Sequence, residues 1–411
     1  MNVTQKVSEY NVNEWLHEKF FSNVIRSHLK LEPADYTFVS VQSERATKPG
    51  DNFLSVLFRS KVVLEKNGVV LPLVYIVKAM ITNEFNEDVT VNTGAFPKEQ
   101  KMYSEIIPAF EKLYKDAGVK VKFAPTFYYT TDSPTSIIVM EDLVQYQMAD
   151  KRRCLDMTKV KLSLSWLGKF HAASMVHGNS VESFGDGFES GIYTMKTESF
   201  FKPYISGLMD NFIEALGKLP DGSKYARKIE TWRDVMYESL CKLLKYDDMA
   251  FNVLNHGDPW SNNLMYAYDE ESHPIDVKFV DYQLCYYGSV AHDIYYFMVT
   301  SWNCDIKVKK FNELIKYYYD ELVFNLDLLN FRGKIPSFED LETELERKKF
   351  VAATMTLELM CFPLSDAIFE EEGFFDAFYD SPLIEQAFNE IFPWLFEKEA
   401  LDIPNLDSSA R

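Results

Sequence analysis

Alternating apolar and polar positions in the first third of the chain predict a small antiparallel sheet. Two apolar runs, residues 53–64 and 69–80, are joined by Lys66-Asn67-Gly68. Asn-Gly between such runs indicates a two-residue hairpin, because a type I′ turn needs positive φ at both central positions. A second pair of strands is predicted at about 126–131 and 136–141.

Apolar residues at helical spacing predict helices elsewhere. One helix is expected at residues 12–30, and another opens at Pro97, between the two strand pairs. After Asp142 the pattern becomes mainly helical, with strands on either side of residues 255–263. The predicted helices there lie around 164–175 and at 198–217, 224–246, 291–301, 308–328, 338–361 and 384–396.

These elements predict an α+β protein with two lobes. Residues 1–142 would form the smaller lobe, an antiparallel sheet with one key helix, and residues 143–411 a large, mainly helical lobe. A chain of 411 residues is long enough for two such units.

Composition excludes several classes of partner. A formal net charge of −19 argues against nucleic acid and anionic membranes, since both need a basic surface. The five cysteines are scattered without CxxC spacing, which is typical of reduced thiols in the cytoplasm. We see no signal peptide and no apolar run of transmembrane length. The sequence therefore predicts a cytoplasmic protein with neither a nucleic-acid nor a membrane partner, and we expect it to be a monomer.

Candidate chemistry is concentrated in residues 255–263, Asn-His-Gly-Asp-Pro-Trp-Ser-Asn-Asn, and in Asp281 at the end of an apolar run. An Asp, an Asn five residues later and a second Asp form the set that kinase-type phosphoryl transfer requires. Asp258 would orient the attacking hydroxyl and accept its proton. Asn263 and Asp281 offer the hard oxygen ligands that suit Mg²⁺ on nucleotide phosphates. The competing interpretation is a polar loop between two strands, with His256 capping and Asp258 starting a turn.

Two residues are predicted to support this loop. His256 is expected to hold the loop backbone rather than to act on substrate. Asp293 lies near the start of the predicted helix 291–301. It could cap that helix, or it could accept hydrogen bonds from the loop.

An ion pair is predicted in the first lobe, where we expect ATP to bind. Lys78 ends an apolar strand, and Glu99 has Met102, Tyr103 and Ile106 three, four and seven residues further on. A carboxylate on the apolar face of a helix is costly unless it is paired. Lys78 is the expected partner, with its ammonium facing the α- and β-phosphates in the cleft between the lobes.

The remaining predicted ATP contacts are backbone groups and one hydroxyl. The segment before the first strand has a single glycine, Gly50, so neither common glycine-rich phosphate loop is present. Backbone amides of Asn52 and Phe53, with the Ser55 hydroxyl, could still cover the phosphates. An ordinary strand start explains this segment equally well. Where the next strand ends, the backbone of Glu141 and Leu143 is predicted to contact the adenine edge.

Two features distinguish this chain from protein kinases. Gly257 stands where protein kinases carry an arginine that clamps a phosphorylated activation loop. Only eleven residues separate Asp281 from Asp293, and no A-P-E sequence follows. No room is left for a segment that docks a polypeptide, so we expect a small-molecule acceptor.

Together these residues resemble the ecdysteroid kinase-like family of insects. That family is related to choline kinases and aminoglycoside phosphotransferases and shares their protein-kinase-like fold. The resemblance covers about residues 35–400 and rests on segments 50–55, 96–103, 140–143, 169–173, 256–263 and 281–293, with Lys78. We assign segment 169–173 to helix packing rather than to chemistry.

The resemblance implies phosphorylation, dependent on ATP and Mg²⁺, of a hydroxyl on a small apolar acceptor such as an ecdysteroid or a dietary toxin. Aromatic segments of the helical lobe, among them 200–204 and 374–379, would suit a flat acceptor. Two alternatives stay open. One is a nucleotide- or hormone-binding pseudokinase without turnover, and the other is a choline- or aminoglycoside-type kinase for cationic acceptors.

Overall fold

The computed structural model describes residues 15–47, 55–80, 90–133, 135–179, 184–365, 367 and 373–405. The chain divides into two compact units. The first contains the described residues up to Ile106 together with Ala124–Gln145. The second contains Ile107–Phe123 and the described residues from Tyr146 onward.

The first unit is built on a five-stranded antiparallel sheet with the order β1-β2-β3-β5-β4. The hairpin predicted from Asn67-Gly68 is confirmed, because β2 and β3 pair from Ser55↔Met80 to Lys66↔Val69. Asn67 and Gly68 have φ values of 51° and 75°. The strands are β1 Thr37–Arg45, β2 Ser55–Lys66, β3 Val69–Met80, β4 Phe127–Thr131 and β5 Ile137–Glu141. Strand β1 was not predicted from the sequence.

Helix α1, Glu18–Leu29, supplies the apolar layer on this sheet. Its Phe21, Val24 and Ile25 are fully buried in one cluster with Phe58 and Val77 of the central strands. The predicted range 12–30 is confirmed from Glu18 onward, and residues 12–14 lie outside the described part of the chain.

The helix predicted to open at Pro97 begins two residues earlier. Helix α2 is Ala95–Lys101, with Gly94 as N-cap at φ 63°. Proline is tolerated in the first turn because the N–H groups there have no intrahelical acceptor. A π-helical turn, Met102–Ile106, and helix α3, Ile107–Asp116, follow.

The second unit is mainly helical. Two predicted helices, 224–246 and 338–361, are each two helices, because apolar periodicity continues across short breaks, whereas the predicted helix 308–328 is a single helix from Phe311. The helices are α4 Met157–Gly178, α5 Glu198–Gly217, α6 Gly222–Glu230, α7 Met236–Leu243, α8 Ala291–Ser301, α9 Cys304–Lys307, α10 Phe311–Leu328, α11 Phe338–Arg347, α12 Lys349–Glu358, α13 Phe374–Ala377 and α14 Pro382–Glu397.

Two small antiparallel sheets in this unit hold the chemically interesting loops. One pairs β7, Asn252–Asn255, with β10, Tyr286–Ser289. The other has the order β6-β8-β9, with β6 Tyr146–Met148, β8 Leu264–Tyr268 and β9 Pro274–Phe279. Helix α8 is buried along its whole length, so side chains on every face contact protein.

The predicted α+β class is confirmed, with the antiparallel sheet in the first unit and most of the helices in the second. Among the helices within the described ranges, none is long and apolar enough to cross a membrane.

Candidate active site

The loop between β7 and β8 brings Asp258 and Asn263 into contact. A 3-10 turn at Ser261–Asn263 folds the chain back, and Asn263 N–H donates to the Trp260 carbonyl at 2.8 Å. Asn263 Nδ2 then donates to Asp258 Oδ2 at 2.8 Å and to the Asp258 carbonyl at 3.0 Å. A spacing of five residues thus becomes a direct contact. Because the amide nitrogen is engaged, the atom that Asn263 could offer a hard cation is Oδ1.

Asp281 is held beside the same loop by the backbone. The residue before it, Val280, donates its N–H to the Asn263 carbonyl at 3.0 Å, and Phe279 pairs with Leu264. Asp281 has φ 70° and ψ 64°, a left-handed conformation that costs energy for a non-glycine residue. This conformation turns the chain from β9 directly into the 3-10 turn Tyr282–Leu284.

The donor set fits Mg²⁺ bound together with phosphates. Asn263 and Asp281 supply amide and carboxylate oxygens, and Mg²⁺ commonly takes one or two carboxylates plus substrate phosphates and waters. Within the described residues, no group of three or more His, Cys, Asp or Glu side chains could hold a metal ion.

Asp293 accepts hydrogen bonds from the backbone of the loop. Its Oδ2 accepts the His256 N–H at 2.6 Å, and its Oδ1 accepts the Gly257 N–H at 2.9 Å. Of the two roles left open for this residue, the structure shows the loop contact. Helix α8 has Val290 as N-cap and shows no side-chain cap, so the capping role is not observed. Asp293 itself is fully buried.

His171 is a residue whose role the sequence did not reveal. It lies within segment 169–173, which we assigned to packing, and its ring is fully buried. Nε2 lies 3.1 Å from Asp293 Oδ2, and Nδ1 lies 2.7 Å from the Tyr318 hydroxyl. Burial alone would raise the pKa of Asp293, but the hydrogen bond from His171 and the His292 ring, whose Nδ1 lies 3.5 Å from Oδ1, hold that pKa well below its usual range. Asp293 therefore stays ionised as the acceptor of the loop.

His256 contacts the loop backbone, as expected. Its Nδ1 accepts the Asp258 N–H at 3.3 Å, and its ring lies 4.8 Å from the Tyr282 ring. Burial lowers the pKa of His256 to about 4, although the charges of Asp293 and Asp281 oppose that shift. The neutral imidazole can accept at Nδ1, which a protonated ring could not do.

Tyr296 was missed as a site residue. From sequence it was one aromatic residue among many in the helical part of the chain. The structure shows its hydroxyl donating a hydrogen bond to Asp258 Oδ1. No local signal in the sequence links two residues that lie 38 positions apart.

In the first unit, Lys78 and Glu99 form the predicted ion pair. Lys78 Nζ lies 2.7 Å from Glu99 Oε2, and both side chains are almost completely buried. Lys78 stands in the middle of the sheet, between Leu57 of β2 and Ile138 of β5. Its role in binding ATP stays a prediction.

The other predicted ATP contacts are placed less completely. Ser55 opens β2 and is buried, whereas Asn52 and Phe53 lie outside the described residues. At Glu141 the backbone N–H already donates to the Thr126 carbonyl at 2.9 Å, so this N–H is not available to adenine. Leu143 is largely buried just after β5. The phosphate and adenine roles of these residues stay predictions.

Comparison with known proteins finds a family match. The profile of the ecdysteroid kinase-like family matches residues 49–331, which include the described residues of both sites. A search of curated proteins finds no match.

Three solved structures are similar over most of the chain. A choline/ethanolamine kinase family protein from Mesorhizobium loti is 12% identical, with 88% of this chain and 92% of that chain covered and a TM-score of 0.32. The ADP-bound aminoglycoside phosphotransferase APH(2'')-Ib is 14% identical, with 78% and 95% covered and a TM-score of 0.35. APH(2'')-IIa, in a ternary complex with streptomycin and ATP, is 13% identical, with 84% and 99% covered and a TM-score of 0.34. Scores this low support no conclusion about the chemistry of this chain.

Proposed function

Because the chain belongs to the ecdysteroid kinase-like family, we propose that it transfers the γ-phosphoryl group of ATP to a hydroxyl of a small apolar molecule. The protein-kinase-like α+β fold and the class of small-molecule kinases follow from the family. The nucleotide, the metal and the acceptor are parts of the proposal.

The observation that carries the proposal is the arrangement around Asp258. Asn263 binds one carboxylate oxygen of Asp258 through its nitrogen, and Asp281 follows a strand that pairs beside Asn263. The carboxylate of Asp258 thus contacts Asn263, and the strand before Asp281 brings that residue beside the same loop. Phosphoryl transfer needs this kind of positioning more than strong acid–base chemistry, because little covalent work falls to the protein.

Each residue is given one role. Asp258 orients the acceptor hydroxyl and takes its proton. Asn263 and Asp281 would hold Mg²⁺, which neutralises charge on the phosphates when it is bound. In the first unit, Lys78 with Glu99 would contact the α- and β-phosphates. His256 and Asp293 support the loop without touching substrate.

The acceptor is proposed to be apolar, such as an ecdysteroid or a dietary toxin, because family membership suggests it. We further propose that the protein acts as a monomer in the cytoplasm, without nucleic-acid or membrane partners. The five cysteines support a reducing compartment, since all of them are free thiols.

The test is a reaction of the purified protein with ATP, Mg²⁺ and a panel of ecdysteroids, plant phenolics and choline. Mass spectrometry detects any acceptor that gains one phosphate, and Asp258→Asn is the control. We expect a phosphorylated steroid or phenolic with the wild type alone. Phosphocholine would instead place the protein among kinases for cationic acceptors. Mg²⁺-dependent ATP binding without turnover, for acceptors and water alike, would favour a pseudokinase.

A further inference from the structure

Two side chains of the buried helix α8 contact the loop that contains Asp258. Asp293 and Tyr296 lie one turn apart on α8, so both face the same side of the helix. Asp293 binds the backbone N–H groups of His256 and Gly257, while Tyr296 reaches the side chain of Asp258. Loop backbone and candidate base are therefore held by a single rigid element.

Both oxygens of the Asp258 carboxylate accept a hydrogen bond. Tyr296 donates to Oδ1, and Asn263 Nδ2 donates to Oδ2 at 2.8 Å. Two donors on different oxygens fix the plane of a carboxylate, which a single donor would leave free to rotate. The Tyr296 ring is itself fixed, because it is almost completely buried and lies 5.8 Å from the His292 ring.

The direction of this hydrogen bond is set by the surroundings of Tyr296. Burial, followed by the charge of Asp258 and the hydrogen bond to it, raises the pKa of Tyr296 well above its ordinary value. The phenol thus keeps its proton and acts as donor. The other titratable groups around Tyr296 are Tyr204 of α5, Glu358 of α12, Tyr193 and His292.

A buried tyrosine hydroxyl usually finds a hydrogen-bond partner, whether or not the residue has a chemical role. The same helix provides a second buried tyrosine whose partner can be compared with that of Tyr296. Tyr295, the preceding residue, is equally buried, and its hydroxyl donates to the Leu345 carbonyl at 2.7 Å. That contact joins two helices by way of the backbone. The Tyr296 hydroxyl instead binds a side chain with a proposed chemical role.

We propose that Tyr296 is a positioning residue for phosphoryl transfer, which fixes the orientation of the Asp258 carboxylate. With a donor on each oxygen, the carboxylate keeps one orientation towards the acceptor hydroxyl. This inference rests on the proposed function, since it assigns Tyr296 a part in that reaction.

The test compares Tyr296→Phe with Tyr295→Phe, each of which removes one buried hydroxyl. The probe is Mg²⁺-ATP with water as acceptor, and ADP formation gives kcat and the KM for ATP. We expect Tyr296→Phe to lower kcat about ten- to a hundredfold, the effect of losing one hydrogen bond to a charged group. The KM for ATP should stay within about twofold, because Tyr296 contacts Asp258 rather than the nucleotide. Tyr295→Phe should leave kcat unchanged.

Combining the substitution with Asp258→Asn separates positioning from packing. If Tyr296 acts through Asp258, Tyr296→Phe lowers kcat no further in the Asp258→Asn background. Additive losses would overturn the inference, as would equal kcat values for the two tyrosine variants. If the wild type forms no ADP and phosphorylates no acceptor, the proposed function fails and this inference fails with it. If the wild type forms ADP and Tyr296→Phe forms it with the same kcat, this inference is wrong but the proposed function stands.

Discussion

A Cβ atom on Gly257 would lie 2.1 Å from the carbonyl oxygen of Leu284. Gly257 also has φ +84°, a conformation that side chains with a Cβ rarely adopt. Both facts concern the residue between His256 and Asp258, where protein kinases have an arginine. The loop therefore excludes not only that arginine but any larger side chain, because the turn after β9 occupies the space.

Gly257→Ala should destabilise the protein by about 2–5 kcal/mol, since strain at positive φ and a steric overlap add together. Gly68→Ala is the matched control. Gly68 also has positive φ, at +75°, but nothing lies within 4 Å of an added Cβ. Denaturant unfolding of both variants isolates the steric part. Equal losses for the two would show that Leu284 can move aside.

Asp258→Asn should lower turnover about 10²–10⁴-fold, because the amide cannot accept the proton of the attacking hydroxyl. Stabilisation by Mg²⁺-ATP in a thermal shift measurement should be nearly unchanged, since Asp258 is assigned to the transition state rather than to nucleotide binding. Asp269→Asn, in the exposed turn between β8 and β9, removes the same charge and should leave both quantities alone. Near-normal turnover of Asp258→Asn would show that another group is the base.

Lys78→Met should weaken the thermal stabilisation given by ATP, because the variant loses the cation assigned to the phosphates. It should also lower stability by about 3–5 kcal/mol, since Glu99 then keeps its buried charge without Lys78. Lys61→Met is the control on the neighbouring strand, where the pair with Glu44 is exposed and 3.9 Å long. The nucleotide role of Lys78 is refuted if both variants respond to ATP like the wild type.

Glu358→Gln should change stability in a way that depends on pH. Burial raises the pKa of Glu358 to about 8, even though the hydrogen bond from Tyr193 lowers it. A raised pKa means that the folded protein binds a proton which the unfolded chain releases. This contribution is complete below about pH 4 and disappears as the pH rises to about 8.

Glutamine is neutral at every pH. The free energy of unfolding of Glu358→Gln, measured relative to that of the wild type, should therefore increase as the pH rises from about 5 to about 9. Urea unfolding of both proteins at pH 5 and at pH 9 measures this increase, which should be on the order of several kcal/mol. The exposed Glu346 provides the control, and Glu346→Gln should differ from the wild type equally at both ends. A pH-independent difference at Glu358 would mean that its carboxyl is ionised in the folded protein.

Several features of the fold and site were predictable because the signals are local. Asn67-Gly68 requires positive φ at both positions, and that requirement identifies the hairpin before any tertiary contact is known. Glu99 on the apolar face of a helix requires a cation as partner, and Lys78 lies two residues before the end of an apolar strand. The short breaks within predicted helices were not visible, since apolar periodicity passes through them unchanged.

The contacts of Asp258 and Asp293 show the limit of such reasoning. The sequence by itself determined the order of the kinase residues, their spacing and the family to which they belong. Only the tertiary structure decided that His171 binds Asp293 across 122 positions and that Tyr296 reaches Asp258. Periodicity shows which residues are buried, but the partner that a buried polar group finds depends on which elements pack together. The packing of the elements depends on the whole core, so it cannot be predicted from the residues that neighbour the polar group in sequence.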